Sequence, residues 1–114
     1  MKLRFYHKKT CSTCRNAKKF LEQRGAELEL VDLDAERLGA AEIEALIGER
    51  DYRKFLNTRN ALYRERKMKL HPPTRDEAVA LMAEHPNLIK RPLTVAGEEI
   101  ILGFDEEKLG ALTT

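Results

Sequence analysis

The period of apolar positions changes several times along the chain, and each change predicts an element. Leu3 and Phe5 alternate with Lys2, Arg4 and Tyr6, which reads as a short strand. Ala17, Phe20 and Leu21 then recur at helical spacing up to Arg24, and Gly25 suits the residue just past a helix end. From Glu27 to Leu33 the pattern is strand-like again, with Leu28 and Leu30 on one face. The first third therefore reads β-α-β. That order suggests parallel strands joined by a right-handed crossover.

The middle of the chain reads as helical. Ile43, Leu46 and Ile47 form one apolar stripe, ended near Gly48. Tyr52, Phe55, Leu56 and Leu62 form a second, broken one. His71-Pro72-Pro73 is a hard stop. Thr74 to Glu77 reads as a capping box, and Ala78, Leu81 and Met82 continue its helix towards His85-Pro86. Pro92 to Ala96 and Glu99 to Gly103 flank Gly97 as a hairpin, and Asp105 caps a final helix carrying Leu109 and Leu112. The predicted class is α/β: β-α-β, a helical block, then β-β-α, in one domain over residues 1–114.

Composition adds limits. With 42% hydrophobic and 35% charged residues, the chain can build a modest core under a well-solvated surface. No apolar run approaches a membrane span, and the first residues lack the apolar stretch of a secretory signal. A cytoplasmic protein with no membrane partner is expected. The net charge of +2 hides a gradient: residues 1–25 carry eight Lys/Arg against one acid, Glu22. A basic N-terminal segment can attract an oxyanion, a glutathione carboxylate or an acidic surface. The competing reading is a solvated helix face.

The candidate chemistry lies in this basic segment. Cys11 and Cys14 are the only cysteines, spaced C-x-x-C between the first strand and the first helix. A thiol at a helix N-terminus, near Lys8, Lys9 and Arg15, is favoured as thiolate. Cys11 then suits a nucleophile, and Cys14, one turn on and more enclosed, a resolving thiol. Half a zinc site is an alternative, but His7, His71 and His85 form no second ligand pair, so no metal is expected. An inert buried pair is the remaining alternative, against which the helix-start position argues. Arg91-Pro92 can place a strand edge beside the thiols, and His7 can tune Cys11. The basic run from Arg59 to Lys69 could meet nucleic acid or an acidic protein surface. With no DNA-reading motif beside it, a solvated helix face is favoured and no direct nucleic-acid contact is expected.

These features together resemble the arsenate reductase (ArsC)/Spx family of thioredoxin-like proteins. The residues that carry the resemblance are His7, Cys11 with Arg15, Asn57-Thr58-Arg59, Leu88 to Leu93 with Arg91-Pro92 inside it, and Leu102 to Leu109. The resemblance implies a thioredoxin-like mixed sheet, a helical insertion over about residues 35–90, and a cis bond before Pro92. It also implies that Cys11 attacks, that arginines hold an anionic substrate, and that glutathione with a glutaredoxin or thioredoxin is the reductant, with no bound cofactor. Arg91 matches one of the family's arginines. Asn57 stands at the place of another, with Arg59 two residues on, and Phe104 stands where the third is expected.

Cys14 departs from the reductases, which usually lack a second cysteine, and is similar to the C-x-x-C switch of Spx-type regulators. Those regulators bind the RNA polymerase α subunit. Asp51 replaces a glycine important for that contact. The leading expectation is a thiol–disulfide oxidoreductase that acts on arsenate or a glutathione-linked substrate. Cys11 and Cys14 are its thiols, Arg15, Arg91 and Arg59 orient the substrate, and His7 and Pro92 shape the site. The rival expectation is a redox-sensing regulator that binds RNA polymerase.

Overall fold

The computed structural model describes residues 2–113; Met1 and Thr114 lie outside the described residues. In chain order the elements are β1 (Lys2–His7), α1 (Ser12–Gln23), β2 (Glu27–Asp32), α2 (Ala40–Ile47), α3 (Ala61–Glu65), α4 (Arg75–Glu84), β3 (Leu93–Ala96), β4 (Glu99–Leu102) and α5 (Glu106–Leu112). Short 3₁₀ turns cover Tyr52–Phe55 and Pro86–Leu88. No helix among the described residues is long and apolar enough to cross a membrane. The chain forms two compact units, residues 2–36 with 91–113, and residues 37–90.

The first unit is a mixed sheet of order β2-β1-β3-β4. β1 runs parallel to β2, and antiparallel to β3. This is the thioredoxin-like arrangement expected from the sequence. Leu3 and Phe5 are fully buried, as their alternation requires, but Tyr6 and His7 are buried as well. The C-terminal end of β1 is therefore enclosed on both faces. Leu3 and Phe5 pack with Ala17 and Leu21 of α1, Ile101 of β4 and Leu109 of α5.

Local chemistry sets the ends of these elements. α1 stops at Gly25, whose φ of 82° suits a residue without Cβ. Gly25 N–H donates to the Glu22 carbonyl at 3.0 Å and Ala26 N–H to the Leu21 carbonyl at 3.1 Å, a Schellman closure. The β3–β4 hairpin turns on Gly97-Glu98, with φ of 60° at Gly97, as a type II′ turn needs. Asp105 caps α5 by accepting from Lys108 N–H at 3.0 Å.

In the second unit α2 packs on α4. Ile43 and Ile47 are buried on one helix, Ala78, Val79 and Met82 on the other, so Val79 takes the inward place expected for Leu81. Thr74 caps α4 by accepting from Glu77 N–H at 3.3 Å. Its hydroxyl donates to Glu77 Oε1 at 3.1 Å, where a full capping box would have that carboxylate take a backbone N–H. Arg75 bonds the Glu44 carboxylate at 2.7 Å and the Gly48 carbonyl at 2.8 Å, which ties α4 to the end of α2.

The broken stripe from Tyr52 to Leu62 is not one helix. Its backbone groups pair elsewhere: Lys90 N–H donates to the Phe55 carbonyl at 2.8 Å, and Asn57 N–H to the Leu88 carbonyl at 2.7 Å. Leu56 is drawn into a β-bridge with Ile89. These bonds use groups that a continuous helix would need internally.

Two substitutions test the first unit. Leu21 is fully buried in the main cluster, so Leu21→Ala is expected to cost about 3 kcal/mol. The measurement is the denaturant midpoint at unchanged slope. Thr94 is also fully buried, and its hydroxyl has no hydrogen-bond partner among the described residues. Thr94→Val, which keeps the shape and removes that hydroxyl, is expected to raise stability by about 1 kcal/mol.

Candidate functional site

The packing stripe of α1 positions both thiols. Cys14, Ala17 and Leu21 are its buried residues, spaced three and four apart, so Cys14 faces the core below the first turn. Cys11 is the N-cap, with extended backbone at φ −89° and ψ 113°. A Lys8–Cys11 turn delivers it there, closed by Cys11 N–H donating to the Lys8 carbonyl at 3.1 Å. Cys11 Sγ occupies the place usually taken by a Ser or Asp oxygen, and accepts from Cys14 N–H at 3.3 Å. Both cysteines are free thiols in this structure, Cys11 half-buried and Cys14 buried.

The two sulfurs are pulled in opposite directions. Burial opposes ionisation of Cys11. The hydrogen bonds from the Cys14 side chain and backbone, with the hydrogen bond and charge of Arg91, outweigh it and hold the thiol below its ordinary value. Burial pushes Cys14 up to about 12, helped by its hydrogen bond to Cys11 and by the Cys11 charge. No acidic residue stands in the first turn of α1 to cancel the partial positive charge of the helix end. The pair is one thiol poised to ionise and one held protonated.

The cation that bears on Cys11 comes from far along the chain. Tyr6 pairs with Leu93 where β1 meets β3. Arg91 lies two residues before Leu93, so the antiparallel register carries it past the C-terminal end of β1, where the cysteine loop begins. The Arg91–Pro92 peptide is cis, and Pro92 is fully buried. Its carbonyl accepts from Gly103 N–H at 2.7 Å.

Sequence reasoning credited the charges of Lys8 and Lys9 to the thiols; the structure sets both side chains beside acids, while the Lys8 backbone hydrogen-bonds Cys14 and favours its thiolate. Lys8 Nζ lies 3.0 Å from the Asp34 carboxylate, and Lys9 Nζ 4.0 Å from that of Asp32. The parallel register His7–Asp32 sets these acids beside the lysines. That pairing was readable only once the two strands were aligned. Arg15 is exposed, and its Nη1 donates to the Lys9 carbonyl at 2.9 Å, bracing the loop before Cys11.

His7 is buried, with its ring 5.8 Å from that of Phe5. Desolvation, with the charges of Lys18 and Lys9, keeps it below its ordinary value against the pull of Asp32. Arg59 belongs to the second unit, where its N–H donates to Asn57 Oδ1 at 3.1 Å before α3. Phe104 packs its ring on Phe20 at 5.7 Å, within the apolar cluster of the first unit. Among the described residues, no three His, Cys, Asp or Glu side chains converge as a metal site.

Comparison with known proteins gives one consistent answer. The model of the ArsC family matches residues 6–112. The uncharacterized protein YusI of Bacillus subtilis is 40% identical over 112 residues, covering 95% of each chain. The global transcriptional regulator Spx of Enterococcus faecalis is 23% identical, over 94% of this chain and 83% of its own. Among solved structures, an arsenate reductase from Vibrio cholerae superposes with a TM-score of 0.84 at 26% identity, covering 98% of both chains.

The electrostatics of Cys11 yield a direct test. Its alkylation by iodoacetamide, followed against pH, is expected to reach half-maximal rate below the ordinary thiol range. Arg91→Gln removes a charge and a hydrogen bond that favour the thiolate, so it is expected to move that midpoint upward. An unmoved midpoint would remove Arg91 from the site.

Proposed function

The chain belongs to the ArsC family, and on that premise we propose that it is a thiol–disulfide oxidoreductase with Cys11 as nucleophile and Cys14 as resolving thiol. The observation that carries this reading is the placement of two neighbouring thiols at the N-terminus of α1, Cys11 half-buried at the cap with its sulfur accepting from Cys14 N–H at 3.3 Å, and Cys14 buried one turn on. In the first step the Cys11 thiolate attacks one sulfur of a substrate disulfide. A Cys11–substrate disulfide forms, and the other substrate sulfur leaves as a thiolate that takes up a proton.

Cys14 then changes character. Burial still holds its thiol up, but capping Cys11 removes both the Cys11 charge and the hydrogen bond that favoured the protonated form. Cys14 loses its proton to solvent and attacks the Cys11 sulfur. The internal disulfide forms, and the second substrate thiolate is released. Two electrons from glutathione or a dithiol protein restore the pair. Arg91 steadies the thiolate, while exposed Arg15 adds positive charge for the anionic end of a glutathione-linked substrate. Pro92 shapes the wall beside them.

Arsenate is disfavoured as substrate. The place where a third oxyanion-binding arginine is expected holds Phe104, and its ring is committed to Phe20. A second reading, a redox-sensing regulator that binds the RNA polymerase α subunit, draws on the Spx relative and the same cysteine pair. Against it, Asp51 stands where a glycine is expected and is engaged with Arg53, through its backbone N–H at 3.0 Å and its guanidinium. A pull-down with the polymerase α-subunit domain, oxidised and reduced, separates the two readings.

Turnover of bis(2-hydroxyethyl) disulfide with glutathione is the decisive assay. Cys11→Ser is expected to lower it by about 10³-fold or more. Cys14→Ser is expected to accumulate a glutathione adduct on Cys11, seen as a mass increase of the intact protein. With arsenate as substrate, the wild-type rate is expected to equal that of Cys11→Ser. Full disulfide reductase activity in Cys11→Ser would refute the proposal.

A further inference from the structure

The second unit carries a basic groove that the thiol chemistry does not use. A concavity of about 550 Å³ is lined by Thr58, Tyr63, Arg64, Lys67, Lys69 and Leu70. Between Lys54 and Arg75 the only acid is Glu65. Among the described residues, no carboxylate lies within ion-pair distance of Arg64, Lys67 or Lys69. Three cations thus converge on one concavity with no internal counter-ion.

The backbone that builds the groove is held in a costly conformation. Lys67 has φ of 51° and is the only non-glycine with positive φ among the described residues. Left-handed backbone crowds a Cβ, and such strain persists where the surrounding structure imposes it. Here the Lys67 carbonyl accepts from Leu70 N–H at 3.0 Å and from His71 N–H at 2.8 Å. Met68 is buried beneath, 3% exposed, while Lys67 and Lys69 on either side remain exposed. The turn therefore anchors one residue and presents its two neighbours as cations on the same groove. Leu70, beside them, is 73% exposed, an apolar side chain left in water at the groove wall.

We propose that this groove binds an acidic–apolar peptide segment of a protein partner, in which a large apolar side chain meets Tyr63 and Leu70 and flanking carboxylates pair with Arg64, Lys67 and Lys69. Charge complementarity selects the carboxylates. The apolar wall favours a peptide over nucleic acid, because base recognition needs several stacking platforms and Tyr63 is the one ring among the described residues that line it. The proposal stands independently of any reductase activity.

The test uses the reduced full-length protein and fluorescence anisotropy at 0.15 M salt. The probes are a labelled Gly-Glu-Asp-Leu-Asp-Glu-Gly peptide, the same peptide with Lys for each acid, the same peptide with Ser for Leu, and a labelled oligothymidylate. The acidic Leu peptide is expected to bind best. Arg64→Glu with Lys69→Glu, both at exposed positions, is expected to weaken it by about tenfold or more. Leu70→Ser is expected to weaken the Leu peptide more than the Ser peptide.

Lys67→Gly serves as the second variant. It relieves the left-handed strain, so its Tm is expected to rise while peptide affinity falls. A turn with a purely structural role would show the rise alone, which would overturn the part assigned to Lys67. Equal binding of acidic and basic peptides, tighter binding of the oligothymidylate, or affinity untouched by the double charge reversal would each overturn the groove as a peptide site.

Discussion

The packing of α1 against β1 is the constraint on which the rest of the first unit depends. Leu3 and Phe5 offer one strand face, and Ala17 and Leu21 the matching helix stripe. Because 3.6 residues make a turn, the same stripe extended backwards reaches Cys14 and turns it inward. The Lys8–Cys11 turn starts the helix three residues earlier and leaves Cys11 at the cap. Burial of a few aliphatic side chains thus helps decide which thiol is enclosed and which stays half-exposed. It also separates their acidities, since enclosure raises Cys14 while the cap position and Arg91 lower Cys11.

Charge acts on the site more selectively than the basic N-terminal segment suggests. Lys8 and Lys9 are adjacent to the thiols in the chain, yet both face carboxylates at the end of β2. Lys8 pairs closely there at 3.0 Å, and Lys9 more loosely at 4.0 Å. Arg91, which is remote in the chain, is the cation whose hydrogen bond and charge reach the Cys11 sulfur. The second unit behaves differently: among the described residues, Arg64, Lys67 and Lys69 form no ion pair.

Much of the fold was legible because its signals are local. Alternation around Leu3 and Phe5, the Gly25 stop, the Thr74 cap and the Gly97 turn each depend on neighbouring residues, and each appears at its place. The stretch from Tyr52 to Leu62 was not legible as helix or loop. Its backbone partners, Leu88 and Lys90, lie some thirty residues on, and no periodicity reports a bond of that range. The inward place of Val79 over Leu81 likewise follows from how α4 meets α2, which a short stripe leaves open by one position.

The family was legible as a resemblance that also takes in Arg91-Pro92 and Leu102 to Leu109. By itself the sequence determined the β-α-β start and the C-x-x-C at a helix N-terminus. Those follow from short-range periodicity, capping and motif spacing. Only the tertiary structure decided which charge bears on which sulfur. A hydrogen bond needs its atoms within about 3 Å, and Coulomb energy falls with distance and is screened beyond about 10 Å; strand register, not chain proximity, sets those distances. The parallel pairing of β1 with β2 sets acids beside the Lys8 and Lys9 side chains, and the antiparallel pairing with β3 brings Arg91 in.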